Sequence, residues 1–163
     1  MSEVKNKKKK SSIIQVSIGV LAVILAILII IMMGIVSDIQ GTARIVNYTG
    51  LVRGETQRLI KLELSTQQEN EMIHEIRTFI DGLRNGNDEL NLVRLDDVDF
   101  QNKMQELDDK FSDLYKKIHL VRFKGAKNTD IIPESEEFFV ICDEATGLAE
   151  KYSQKKATSL SLL

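Results

Sequence analysis

Apolar residues follow two different patterns along this chain. From Ile13 to Val36 they are nearly continuous Ile, Leu, Val, Ala and Met, with no charged residue between Ser11 and Ser37. A bilayer core of about 30 Å needs roughly 20 apolar residues in helix, so residues 13–36 are long enough to cross. Beyond Ser37 the apolar residues recur at helical spacing. A first amphipathic helix continues out of the apolar run, without proline, to about Leu64. Thr66 and Glu69 have the spacing of a capping box opening a second helix. That helix sets Ile73, Ile76, Ile80 and Leu83 on one face and ends at Asn85-Gly86-Asn87, with a loop over residues 86–95.

The third helix has the plainest pattern. Phe100, Met104, Leu107, Phe111, Leu114, Ile118 and Val121 alternate spacings of four and three, as in a bundle seam. Asp96 or Asp97 can cap its start, and Gly125 lies just past its end. Asn128–Ile132 reads as loop and Pro133 as part of a first helical turn. A fourth helix then carries Phe138, Ile141, Cys142, Ala145, Leu148, Ala149 and Tyr152. The expected fold is all-α: one N-terminal transmembrane helix continuous with an antiparallel four-helix bundle. Its parts are a basic cytoplasmic tail (1–12), the membrane helix (13–36), an extracytoplasmic bundle (37–156) and a truncated C-terminal tail (157–163).

Charge fixes the orientation. The net charge is only −2, but Lys5, Lys7, Lys8, Lys9 and Lys10 precede the apolar run, and the remainder is acidic. The positive-inside rule then puts the N-terminus in the cytoplasm, the bundle outside and the lysines against anionic lipid. An acidic globular part gives no footprint for nucleic acid. A cleaved signal peptide would have a shorter apolar core and an A-x-A exit, which Gly34-Ile35-Val36-Ser37-Asp38 lacks. The single cysteine, Cys142, has no disulfide partner and no zinc spacing, and reads as a small packed hydrophobe.

The first helix carries the candidate chemistry. At about 100° per residue, Ile39, Val46, Arg53 and Ile60 stack on one line. Thr42, Thr49 and Thr56 lie on one side of it, and Ala43, Gly50, Gln57 and Leu64 on the other. Ile45, Val52 and Leu59 form a separate face for the helix's own core. The Ile39–Val46–Arg53–Ile60 line is therefore a candidate dimer seam, with Gly50 and Gly54 permitting close approach. Two Arg53 guanidiniums meeting across a two-fold axis would repel, and a small anion between them would relieve the cost. Thr49 and Thr56 would add hydroxyl donors. The competing reading is structural: Arg53 snorkels to solvent or pairs with Glu63 or Glu55 and only sets register.

The stretch Asn47-x-x-Gly50-x-x-Arg53-x-x-Thr56-x-Arg58-Leu59 resembles the P-box of NarX/PilJ-type sensor domains. These are extracytoplasmic ligand-binding modules of nitrate-sensing histidine kinases and type IV pili chemotaxis transducers. ARIVNYTGLVRGETQRLIKLEL is most similar to sensors that precede diguanylate cyclase modules. The likeness continues through Leu95-Asp96-Asp97, Phe100, Val121-Arg122 and Ala149-Glu150-Lys151-Tyr152-Ser153. It implies a four-helix bundle that dimerises along its first helix, with Arg53 as the ligand residue. Asn47, Gly50, Thr56 and Arg58 are the matching motif positions. Tyr48 stands where the nitrate sensors have lysine soon after the Asn, a departure that bears on nitrate as the ligand. The resemblance also implies a second membrane helix and a cytoplasmic output module, and the sequence reaches Leu163 before either.

Other signals carry little chemistry. His74 and His119 are far apart in sequence, without ligand spacing, and Asp96-Asp97-Val98-Asp99 lacks the Gly and Glu of a calcium loop. Asn47-Tyr48-Thr49 matches a glycosylation sequon in mid-helix. No catalytic site, cofactor or metal is expected. Two function classes stand: a homodimeric, membrane-anchored sensor of a small anionic or polar ligand, and a non-sensing anchored dimerisation or interaction protein, the remnant of a longer signalling protein.

Overall fold

The computed structural model describes residues 2–161 of the chain. Among these, four α-helices account for nearly all of the structure: α1 (Ser2–Leu64), α2 (Asn70–Asn85), α3 (Val98–Lys124) and α4 (Ile131–Ser161). A short 3-10 turn, Ala126–Asn128, precedes α4. The described residues contain no strand, only an isolated bridge between Asn87 and Leu92. The side chains of residues 1–13, on which the basic-tail reading rests, and residues 162–163 lie outside the described residues.

The chain divides into two units between Asp38 and Ile39. The first is the apolar part of α1, where side chains such as Leu25, Ile30 and Met33 are exposed within the chain. Its mean hydropathy over an 18-residue window reaches 3.2, and α1 is the one described helix long and apolar enough to cross a membrane. The all-helical class and the long apolar N-terminal helix thus agree with the sequence pattern.

The second unit has one core, to which α1, α2, α3 and α4 all contribute. The predicted α3 seam, Phe100 through Val121, is buried along its whole length. So are Ile73, Ile76, Ile80 and Leu83 of α2, and Phe138, Ile141, Cys142, Ala145 and Ala149 of α4. The loop after α2 closes through two backbone bonds between Asn87 and Leu92, both 2.8 Å, which drop Leu92 into the core. Gly86 turns the chain there at φ 85°, where a Cβ would approach the Leu92 carbonyl to 3.3 Å. Asp97 caps α3 by accepting from the Phe100 N–H at 2.9 Å, and Gly125 ends it at φ 79°.

Two connections differ from the sequence reading. Thr66 and Glu69 do not form a capping box. Thr66 has φ 65° and is the left-handed residue that ends α1: Gln67 N–H reaches Leu62 O at 2.9 Å and Thr66 N–H reaches Glu63 O at 3.1 Å, a Schellman closure. That commitment leaves the Thr66 hydroxyl to donate to its neighbour Ser65 O, and α2 starts at Asn70 with no side-chain cap from Glu69. The second difference is the loop at Asn128–Ile132. It is shorter than expected because Ile131 is fully buried and already helical. Pro133 sits in the first turn of α4, as its missing N–H permits.

Candidate functional site around Arg53

The buried edge of α1 is a seam of Thr42, Ile45, Thr49, Val52, Thr56, Leu59 and Glu63, at alternating spacings of three and four. Every second position is polar. This corrects the expectation that Thr49 and Thr56 flank a ligand at the surface. Each stands only about 40° around the helix from a core residue one turn away, so the threonines complete the core-facing stripe. Thr49 donates to the Ile45 carbonyl at 2.8 Å. The Thr56 hydroxyl is buried without any hydrogen-bond partner.

The proposed dimer line is also redrawn. Ile39 is 49% exposed, Val46 is half-buried, and Ile60 is 5% exposed and part of the chain's own core. Exposure along the line is uneven: Arg53 is exposed, whereas Ile60 joins the core near the end of α1. Ile60 is therefore unavailable to a second copy.

Arg53 itself is a surface residue, its side chain 44% exposed, and it pairs with Asp143 of α4 at 3.0 Å. Neither Glu63 nor Glu55 is its partner. Glu55 lies 3.7 Å from Arg58 on the next turn. Arg58 is well exposed but about 140° around α1 from Arg53, so the two arginines do not share a site. Asn47, Gly50 and Gly54 are exposed, and a Cβ built on either glycine would meet nothing within 4 Å. The structure thus keeps Asn47, Gly50 and Arg53 at the surface and takes Thr49 and Thr56 away. Beside Asp143, Cys142 is fully buried. Burial, then the Asp143 carboxylate, pushes its thiol up to about 12, with Arg53 pulling the other way.

Sequence reasoning missed the strongest polar contact of α1. Glu63, its side chain 1% exposed, forms an ion pair with Arg122 of α3, which is 12% exposed. Arg122 Nε donates to Glu63 Oε2 at 2.8 Å, and a second guanidinium nitrogen reaches Oε1. Arg122 also donates to Asn70 Oδ1 at 2.8 Å, and the Glu69 N–H donates to Glu63 Oε1 at 3.2 Å. One carboxylate thereby joins the end of α1, the start of α2 and the end of α3. Its signal was the three-four spacing from Thr42, which runs on to Glu63. Asp143 gave no signal beyond being an acid next to a seam cysteine.

No family model, curated protein or solved structure matches the chain.

Proposed function

We propose that the chain is the extracytoplasmic sensory part of a bacterial signal-transduction receptor. In this reading residues 13–36 anchor it in the membrane, with the N-terminal lysines in the cytoplasm against anionic lipid. The four helices form an antiparallel bundle, and two copies meet along the outer face of α1. A small anionic or polar ligand binds there at Arg53.

Cross-helix pairs support the antiparallel order. Along α2, Arg77 lies over Phe111 and Tyr115 while the later Arg84 meets the earlier Asp108. Along α3, Lys103 meets Glu144 while the later Lys110 meets the earlier Glu134 and Glu137. Tyr48 packs on Phe79 and Glu63 is joined to Asn70 through Arg122, which runs α1 against α2 in the same sense.

The observation that carries the reading is an open helix face beside a surface guanidinium. Gly50 and Gly54 each cost about 1 kcal/mol relative to alanine in a helix interior, and no contact within the chain requires them. A second backbone approaching that face would require them. The Arg53–Asp143 pair is half in water and worth about 0–1 kcal/mol, so a competing oxyanion displaces Asp143 at little cost.

The test uses the full chain in lipid nanodiscs, melted against a panel of nitrate, nitrite, sulfate and small carboxylates. A ligand raises the midpoint of wild type, Arg53→Ala abolishes the rise, and Asp143→Asn enlarges it. If no anion moves the wild-type midpoint, the receptor reading fails. The second reading, an anchored dimerisation module without a ligand, draws on the same ion pair, because Asp143 already neutralises Arg53. It requires Arg53→Leu to strengthen self-association.

A further inference from the structure

Arg77 differs from every other arginine of the chain. Among the described residues each of the others has a carboxylate or carbonyl partner. Among the described residues Arg77 has neither a hydrogen bond nor an ion pair. Its guanidinium carbon lies 4.8 Å from the Tyr115 ring centroid and 5.5 Å from that of Phe111. The Tyr115 ring is itself braced by His119, edge-on at 4.5 Å.

Contact with two aromatic rings holds a guanidinium through its charge and occupies none of its N–H donors with an oxygen acceptor. Holding the group this way also removes much of the entropy cost of ordering a long side chain on binding. No acid pairs with Arg77 among the described residues. Asp108 belongs to Arg84, and Asp81, one turn later on α2, keeps its charge but accepts from Asn85 at 2.7 Å. Arg77 is thus a half-buried, pre-oriented cation with an unused donor fork.

We propose that Arg77, held between α2 and the α3 rings of Phe111 and Tyr115, is a second anion site, separate from Arg53, that takes a small carboxylate. A single guanidinium fork matches one carboxylate in charge and in geometry. A phosphate dianion would call for a second fixed cation, and the arginines before and after it along α2 and α3, Arg84 and Arg122, are already paired. The body of the ligand lies along Tyr115 and His119, which gives aromatic carboxylates an advantage over acetate.

The experiment titrates acetate and benzoate into the full chain in detergent micelles, at constant ionic strength with chloride as the balancing anion. It follows the Arg77 Nε–H resonance in nitrogen-labelled protein and the binding constant by calorimetry. The Arg77 resonance shifts saturably, and benzoate binds more tightly than acetate. Arg77→Lys keeps the charge but loses the fork, and weakens binding by about tenfold or more. Asp81→Asn strengthens binding by removing a carboxylate one helical turn away, and in Arg53→Ala the Arg77 resonance still shifts. Three results overturn the proposal: an unmoved Arg77 resonance, Arg77→Lys binding as wild type does, or loss of the Arg77 shift in Arg53→Ala. Because the first of these is read in wild-type protein, the proposal can be overturned without any variant folding.

Discussion

Replacing Arg122 with alanine isolates the Glu63 carboxylate, and the structure sets the size of the effect. Glu63 is nearly sealed, and among the described residues its side chain keeps, besides Arg122, only the Glu69 N–H at 3.2 Å. Removing one partner of a buried pair costs about 3–5 kcal/mol, mostly from the charge left behind. A domain of this size holds about 5–15 kcal/mol in total, so the loss is a large share of its stability. At roughly 4 °C per kcal/mol, the melting midpoint falls by about 12–20 °C. The double variant Glu63→Leu, Arg122→Met fills the site with apolar volume and recovers most or all of that loss. The assay is thermal and urea unfolding of wild type, both single variants and the double variant, followed by circular dichroism in detergent. A double variant no more stable than Arg122→Ala would refute the reasoning, since the penalty would then not be an orphaned charge. So would an Arg122→Ala loss under about 1 kcal/mol, the size of an exposed pair.

Two further substitutions test the polar side of the core. Thr56→Val removes a buried hydroxyl that has no partner and keeps the shape, so it should stabilise by about 1–2 kcal/mol in the same unfolding assay. A loss of stability would mean that the hydroxyl is hydrogen-bonded in solution. Cys142 should resist a thiol reagent until the protein unfolds, because its thiol is buried and held up to about 12 against an ordinary 9.0. A folded-state pKa above the unfolded one gives stability that is whole below pH 9 and fades as pH rises toward 12. The full amount is about 4 kcal/mol from that shift. Cys142→Ala should flatten this alkaline decline, and an unchanged decline would assign it to other groups.

The parts of the fold legible in the sequence were those built from apolar spacing. Phe100 through Val121 could be read as a seam because every member is apolar, and Ile45, Val52 and Leu59 could be read as a core face for the same reason. The other half of the α1 seam is threonine and glutamate, and a count of apolar residues skips it. Thr49 and Thr56 therefore read as surface donors although their helical positions belong to the core. The turn after α1 failed differently. Thr66 and Glu69 fit a capping box in spacing, but the sequence does not reveal that the preceding helix closes on Thr66 in a left-handed conformation. Arg53 was legible as an anomaly, whereas its partner Asp143 depends on which helix comes to lie beside it.

The burial of Ile60 also limits how two copies of α1 can touch. One end of the Ile39–Val46–Arg53–Ile60 line lies in the chain's own core, so two straight helices cannot share it along its whole length. They would cross instead, in contact over a few turns and diverging on either side. The crossing point would lie near the level of Gly50, Arg53 and Gly54, where the surface is open. A crossing of this kind acts as a fulcrum: a small change in what sits between the helices at that level alters the angle between their ends.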